Sequence, residues 1–217
     1  MTGVGFELYL ITDRRLTRGR TLTEVVEEVL KAGVKAVQLR EKDLQGGELL
    51  RMAKELRRVT RNHGAKLLIN DRLDVALAVG ADGVHLGQGS FPPRNVRSYL
   101  GEGKLIGVST HGVEEAIRAE EEGADFITLG PVYRTPSKER YGPPVGLNTL
   151  KETAGKVKIP VFAIGGVKKD RIEEVISSGA SGAALISAVI GAEDAGKTAG
   201  EILVELKRSK GVDHDKA

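Results

Sequence analysis

Thr135, Ser137 and Lys138 place two hydroxyls and an ammonium within four residues. Groups of this kind, beside backbone N–H donors, suit a phosphate or diphosphate. They sit in the stretch 130–146, seventeen residues with three Gly and four Pro, too broken for regular structure. A loop of that length in a compact domain is usually functional. The competing reading is a solvated lid stiffened by proline, with the Thr and Lys incidental.

Other polar side chains stand directly behind short apolar runs. Val-Gln-Leu-Arg-Glu-Lys brings out Gln38, Arg40, Glu41 and Lys42, where a purely structural turn would favour turn residues. Further runs lead into Asn70, Asp71 and Arg72; into His85, Gly87, Gln88 and Ser90; and into Ser109, Thr110 and His111. Asp71 is a hard oxygen ligand of the kind that holds Mg²⁺ beside substrate phosphates, or else a helix N-cap for the segment that follows. Gly165-Gly166 lets a phosphate approach backbone N–H groups, and a tight turn needing positive φ explains the pair equally well. His85 and His111 are candidates for acid–base work, although a histidine at a strand end is more often hydrogen-bonded structure. Neither a Ser-His-Asp spacing nor a metal-ligand histidine pair nor paired catalytic carboxylates occur.

The elements that carry these residues alternate. Apolar, β-rich runs occur at 6–12, 34–39, 66–69, 83–86, 105–109, 126–129, 160–164 and 182–186. Between them lie helical patterns, the first capped by Thr21 with Leu22, Val25, Val26, Val29 and Leu30 at helical spacing. A helix ending in Gly and turning straight into a strand recurs, as in Val79-Gly-Ala-Asp-Gly-Val and Glu122-Gly-Ala-Asp-Phe. Eight strands alternating with helices predict an α/β fold, a closed parallel (β/α)₈ TIM barrel forming a single domain over 1–217. A doubly wound open sheet is the alternative, disfavoured by the even count and the lack of a dinucleotide fingerprint. In a barrel the strand exits converge on one mouth, and loops after strands seven and eight often hold phosphate. A last helix is expected to about Arg208, with Ser209 to Ala217 a frayed polar tail.

Composition excludes several classes. The chain has 217 residues, with 33 basic and 30 acidic side chains giving a net charge of +3. That balance argues against nucleic acid but tolerates a phosphorylated substrate. There is no cysteine, hence neither disulfide framework nor thiolate chemistry. No 18-residue apolar segment occurs, so no membrane partner and a cytoplasmic location are expected. A homo-oligomer is compatible with the sequence.

With these residues assembled, the chain resembles the thiamine-phosphate synthase family over residues 6 to 206. The motifs are Val37-Gln-Leu-Arg-Glu-Lys42, Ile69-Asn-Asp71, Gly83-Val-His-Leu-Gly-Gln88, Gly107-Val-Ser-Thr-His111, Gly130-Pro-Val-Tyr133, Thr135-Pro-Ser-Lys138, Ala163-Ile-Gly-Gly166 and Leu185-Ile-Ser187. The resemblance implies a transferase joining an aminopyrimidine diphosphate to a thiazole phosphate with release of diphosphate. By the same resemblance Gln38, Arg40, Lys42, Asn70, Ser109 and Lys138 would hold the pyrimidine diphosphate, and Asp71 the Mg²⁺. Thr135, Ser137, Gly166, Ile186 and Ser187 would hold the thiazole phosphate. Lys138, Arg40 and Ser109 would be the catalytic members, acting on the departing charge, with no general base required.

Two positions depart from the family pattern. Ser90 stands where a second Mg²⁺-binding aspartate is usual, two residues after Gln88, and a hydroxyl is a poorer ligand. The surrounding Gly89-Ser-Phe-Pro-Pro looks like the sister family, the thiazole tautomerases, which carry a proton-transferring histidine where this chain has Pro131. Ser137 replaces a usual Thr and keeps the hydroxyl. The alternatives are therefore a tautomerase-like isomerase using His85 or His111, and a non-catalytic paralogue binding thiamine intermediates.

Overall fold

A computed structural model describes residues 4–135 and 143–212. Eight parallel strands run in chain order: β1 (Leu8–Ile11), β2 (Ala36–Leu39), β3 (Lys66–Asn70), β4 (Gly83–Leu86), β5 (Leu105–Thr110), β6 (Phe126–Leu129), β7 (Val161–Ile164) and β8 (Gly182–Leu185). β8 pairs back on β1, so the sheet closes into the expected barrel. The helices are α1 (Leu22–Lys31), α2 (Gly46–Asn62), α3 (Leu73–Val79), α4 (Pro93–Leu100), α5 (Val113–Glu121), α6 (Gly146–Lys156), α7 (Ile172–Ser177), α8 (Ser187–Ile190) and α9 (Ala195–Val212).

The strands read as unbroken apolar runs because both faces are covered. Val37, Leu67, Val84, Ile106 and Ile127 point outward into one cluster with the helix stripes, α1 contributing Val25, Val26 and Val29. Tyr9, Ile11, Ala36, Leu68, Phe126, Phe162 and Ala184 alternate inward, with Phe6 closing the floor. The floor is an aromatic plug: Phe6 stacks on Phe162 at 5.0 Å and meets Phe126 edge-on at 5.5 Å. Gly107 belongs to this packing, since a Cβ there would lie 2.4 Å from the Phe126 ring. Two residues further along their strands come Gln38 and Thr128, inward and buried, with His85 between them in the round of strands. The interior thus turns polar as it approaches the C-terminal mouth.

The recurring Gly-Ala-Asp phrase has its explanation at the opposite end. Asp82 accepts from the Leu67 amide at 2.8 Å and from Arg57 of α2 at 2.5 Å, clasping the starts of β3 and β4 to a helix. Asp125 repeats the device with the Ile106 amide and Arg97 of α4, both at 2.6 Å. In the related phrase Ser178-Gly-Ala-Ser, Ser181 stands in for the acid, and Lys210 of α9 donates to its carbonyl at 2.7 Å and to Glu7 at 2.8 Å.

Residues 209–212 correct the sequence reading, for they are helix rather than tail. Ser209 is only 7% exposed and its hydroxyl bonds the Glu205 carbonyl. The polar letters that looked solvated are spent on the helix itself and on the barrel floor. The helical turn at Arg14–Leu16 and the four-residue α8 also lack any periodic signal in the sequence.

Candidate active site

The exit of β2 is held by a buried carboxylate. Glu41 is 5% exposed and accepts from the Thr12 hydroxyl at 2.7 Å, the Arg14 amide at 3.1 Å and the Arg14 guanidinium at 3.0 Å. A buried charge is tolerable only when paired and hydrogen-bonded in this way. Arg14 reaches on to Asp43, whose carboxyl it holds down at about 2. Thr12 in turn accepts the Arg40 amide at 2.9 Å, so the backbone that launches Arg40 is fixed from beneath. Gln38 is buried below it and donates to the Tyr9 hydroxyl at 3.1 Å. Arg40 is half-buried and Lys42 exposed.

Asp71 follows β3 with φ +58°, a left-handed conformation shared among described non-glycine residues only by Arg18. Such a backbone costs on the order of 1 kcal/mol and persists when its surroundings demand it. Here the carboxylate is turned toward β4: one oxygen accepts from the Gly87 amide at 3.1 Å and from the Ser90 hydroxyl, the other from Asn70 at 2.9 Å. The cap alternative is thereby excluded, since Arg72 occupies the N-cap of α3 and no side chain caps it. Asp71 is exposed, and Ser90 lies against it where a second ligand would stand. Among the described residues no group of three or more His, Asp or Glu could enclose a metal. One exposed carboxylate with a hydroxyl and an amide oxygen beside it still fits Mg²⁺, which keeps several waters and takes oxygens from a substrate's phosphates.

His85 is the hub under this mouth. It is 2% exposed, with Nε2 at 3.0 Å from the Ser109 hydroxyl and 3.4 Å from that of Thr128, and Nδ1 at 3.5 Å from the Tyr9 hydroxyl. Burial pulls its pKa down to about 3, so the ring is neutral at physiological pH. That is the hydrogen-bonded role expected of it. Ser109 is half-buried above the ring. His111 lies on the surface, paired with Glu115 at 3.2 Å.

The far side of the mouth is built on glycine. Beyond the last β6–β7 pairing, the Val132 and Tyr133 amides continue the ladder to the carbonyls of Ile164 and Gly165, at 2.9 and 3.0 Å. Gly165 and Gly166 have φ +90° and +69°, and a Cβ on Gly166 would lie 2.7 Å from that of Tyr133. The turn reading of the pair is met, since both positions require glycine. Among the described residues the amides of Gly166 and Val167 carry no hydrogen bond, nor does that of Ser187. Ile186 is half-buried against the barrel interior and Ser187 exposed at the start of α8. The Gly130–Pro131 peptide is cis, and Thr135 is half-buried. Ser137 and Lys138 lie outside the described residues.

The structure joins Gln38, Arg40, Asn70, Asp71 and Ser109 in one half of the mouth, with Gly166, Ile186 and Ser187 ending neighbouring strands in the other. Tyr9, Thr12, Arg14 and Arg171 support this arrangement and escaped sequence reasoning. Glu41 was visible as a charge behind an apolar run; the others gave no local signal.

A family model described as thiamine monophosphate synthase matches residues 8–189. A Geobacter sulfurreducens protein provisionally named thiamine-phosphate synthase is 54% identical, covering 95% of this chain and 97% of its own. The thiamine-phosphate synthase of Clostridium novyi is 44% identical over 88% of this chain and 94% of its own. The solved thiamine phosphate pyrophosphorylase of Pyrococcus furiosus superposes with a TM-score of 0.86 at 40% identity, covering 94% of this chain and 96% of that one.

Proposed function

Because the chain belongs to the thiamine-phosphate synthase family, we propose that its mouth joins an aminopyrimidine diphosphate to a thiazole phosphate, releasing diphosphate. What supports this is that the strand exits bring two separate groups of polar atoms to the mouth, which we assign to the two phosphorylated substrates. Asp71, Asn70, Ser109 and Arg40 form one, and the open amides around Gly166 and Ser187 form the other. A reaction between two phosphorylated substrates needs that pair of anchors.

The carbon–oxygen bond to the diphosphate breaks with both electrons leaving on oxygen, and the pyrimidine ring delocalises the remaining cation. The thiazole nitrogen then closes a carbon–nitrogen bond. Arg40, Lys42 and Lys138 offset the charge gathering on the leaving group, with Asn70 and Ser109 as hydrogen-bond partners. Gln38 orients the pyrimidine. Thr135, Ser137, Gly166, Ile186 and Ser187 hold the thiazole phosphate so that its nitrogen faces the reacting carbon, an effect of position alone. Asp71, with Ser90 beside it, would hold Mg²⁺, which would supply further charge neutralisation to the diphosphate. No proton is transferred to or from the protein, consistent with a His85 that stays neutral and serves to fix Ser109. Against the isomerase alternative, Pro131 carries no proton, His85 is held by hydrogen bonds under Ser109, and His111 lies on the surface paired with Glu115. No helix among the described residues is long and apolar enough to cross a membrane, and we place the reaction in the cytoplasm.

The test is to incubate purified protein with both substrates and Mg²⁺ and follow thiamine phosphate and diphosphate together. Equimolar appearance of the two is expected. Absence of product across a full Mg²⁺ titration would sink the proposal.

A further inference from the structure

We infer that Arg171, which touches neither reacting group, positions the Gly165–Gly166 turn for the thiazole phosphate and locks it to the base of the loop after β6; this rests on the proposed function. Arg171 ends the short helical turn that precedes α7. One guanidinium nitrogen donates to the Gly166 carbonyl at 2.7 Å. A trans peptide is planar, so its C=O and N–H point in opposite directions. Drawing the Gly166 carbonyl toward Arg171 therefore turns the Val167 amide away from it, and that amide has no partner among the described residues. Without the anchor, a turn of two glycines at positive φ is free to rotate this peptide.

The same guanidinium lies 4.3 Å over the Tyr133 ring. Tyr133 donates its hydroxyl to Glu174 of α7 at 2.5 Å, and its amide to Gly165. One cation thus fastens three pieces together: the glycine turn, the first residues of the β6 loop, and α7. Two residues beyond Tyr133 stands Thr135, a proposed contact to the same phosphate. No carboxylate forms an ion pair with Arg171 among the described residues.

The experiment compares the full-length wild type with Arg171→Ala and Arg171→Lys. Calorimetric binding of thiazole phosphate is read beside initial rates with each substrate varied in turn. For Arg171→Ala we expect about tenfold weaker thiazole phosphate binding and a matching rise in its KM. The KM of the pyrimidine diphosphate should stay within about twofold of wild type, a split that general loosening of the fold would not produce. Lysine keeps a donor for the carbonyl but loses the flat stack on Tyr133, so Arg171→Lys should recover about half of the loss on a logarithmic scale. Unchanged thiazole phosphate affinity in Arg171→Ala, or equal loss for both substrates, would overturn the inference. If Arg171→Ala does not melt cooperatively, Arg171→Lys carries the test, and equality with wild type refutes it. A wild type that binds thiazole phosphate without coupling it refutes the proposed function alone, since the binding comparison still decides the role of Arg171. A wild type that does neither refutes both.

Discussion

Ser90 and Asp71 share a hydrogen bond that bears on the proposed Mg²⁺ site. The Ser90 hydroxyl donates to the Asp71 carboxylate, so the aspartate is satisfied without metal. In the proposed function, Mg²⁺ at Asp71 would have to displace that donor or take its oxygen as a neutral ligand, which would weaken binding relative to two carboxylates. Ser90→Asp is expected to lower the Mg²⁺ concentration for half-maximal rate about tenfold, near 1.4 kcal/mol. It should also lower the melting temperature in chelator, where two carboxylates repel. A Mg²⁺ titration checks the first and a metal-free melt the second; an unshifted midpoint would show that Ser90 has no bearing on the metal.

His85 yields a second prediction at this scale. Its folded pKa is depressed to about 3 from the ordinary 6.5. Between those values the unfolded chain holds a proton that the folded chain refuses, so stability falls as pH drops from 6.5 toward 3. The expected slope approaches ~1.4 kcal/mol per pH unit for this one group. Carboxylates titrate nearby, so the quantity to read is the difference between wild type and His85→Gln in denaturant midpoints at pH 7 and pH 4.5. Parallel losses in the two proteins would rule the histidine out as the source.

At the scale of elements, the helix-to-strand phrases mark where stability is concentrated. Asp125 bridges the start of β5 to α4 through Arg97, a partly buried pair whose loss strands a cation. Asp125→Ala should cost about 2–3 kcal/mol in chemical denaturation, while kcat/KM at 25 °C stays within about twofold of wild type. A drop in activity without loss of stability would contradict the division of labour between barrel ends. These contacts also mark the limit of what the sequence made legible. The alternation of apolar runs and helical stripes was enough for the barrel, because each strand and helix advertises its own burial. Strand exits were enough to bring Arg40, Asn70, Asp71 and Ser109 to one end of the barrel. What stayed hidden was partnership across distance: Arg57 with Asp82, Arg14 with Glu41, and Arg171 with Gly166 and Tyr133. Each partner looks like an ordinary surface charge until the fold brings it to its mate. The end of α9 was missed for the same reason, since Lys210 reads as tail until Glu7 and Ser181 are beside it.

For the whole molecule, closing the sheet separates a clasped floor from a mouth held open by glycine and by charge. The floor fixes the strands through Asp82, Asp125 and Lys210, and an aromatic plug blocks passage through the interior. At the mouth stand Arg40, Lys42 and the β7 exit, where the proposed function places the anions. A ligand that binds only the folded mouth stabilises by mass action, near 2.7 kcal/mol at one hundred times its dissociation constant. For a chain of 217 residues each kcal/mol is worth roughly 2–4 °C. Diphosphate with Mg²⁺ should therefore raise the melting temperature by about 5–10 °C at saturation. Diphosphate alone should give a smaller shift, because Asp71 then faces the anion uncompensated. Asp71→Asn should bring the two melts together, by weakening the first and relieving the repulsion in the second. Sulfate at equal ionic strength controls for screening, which acts on every exposed pair. If Mg²⁺ makes no difference to the shift in wild type, Asp71 is not where metal and diphosphate meet.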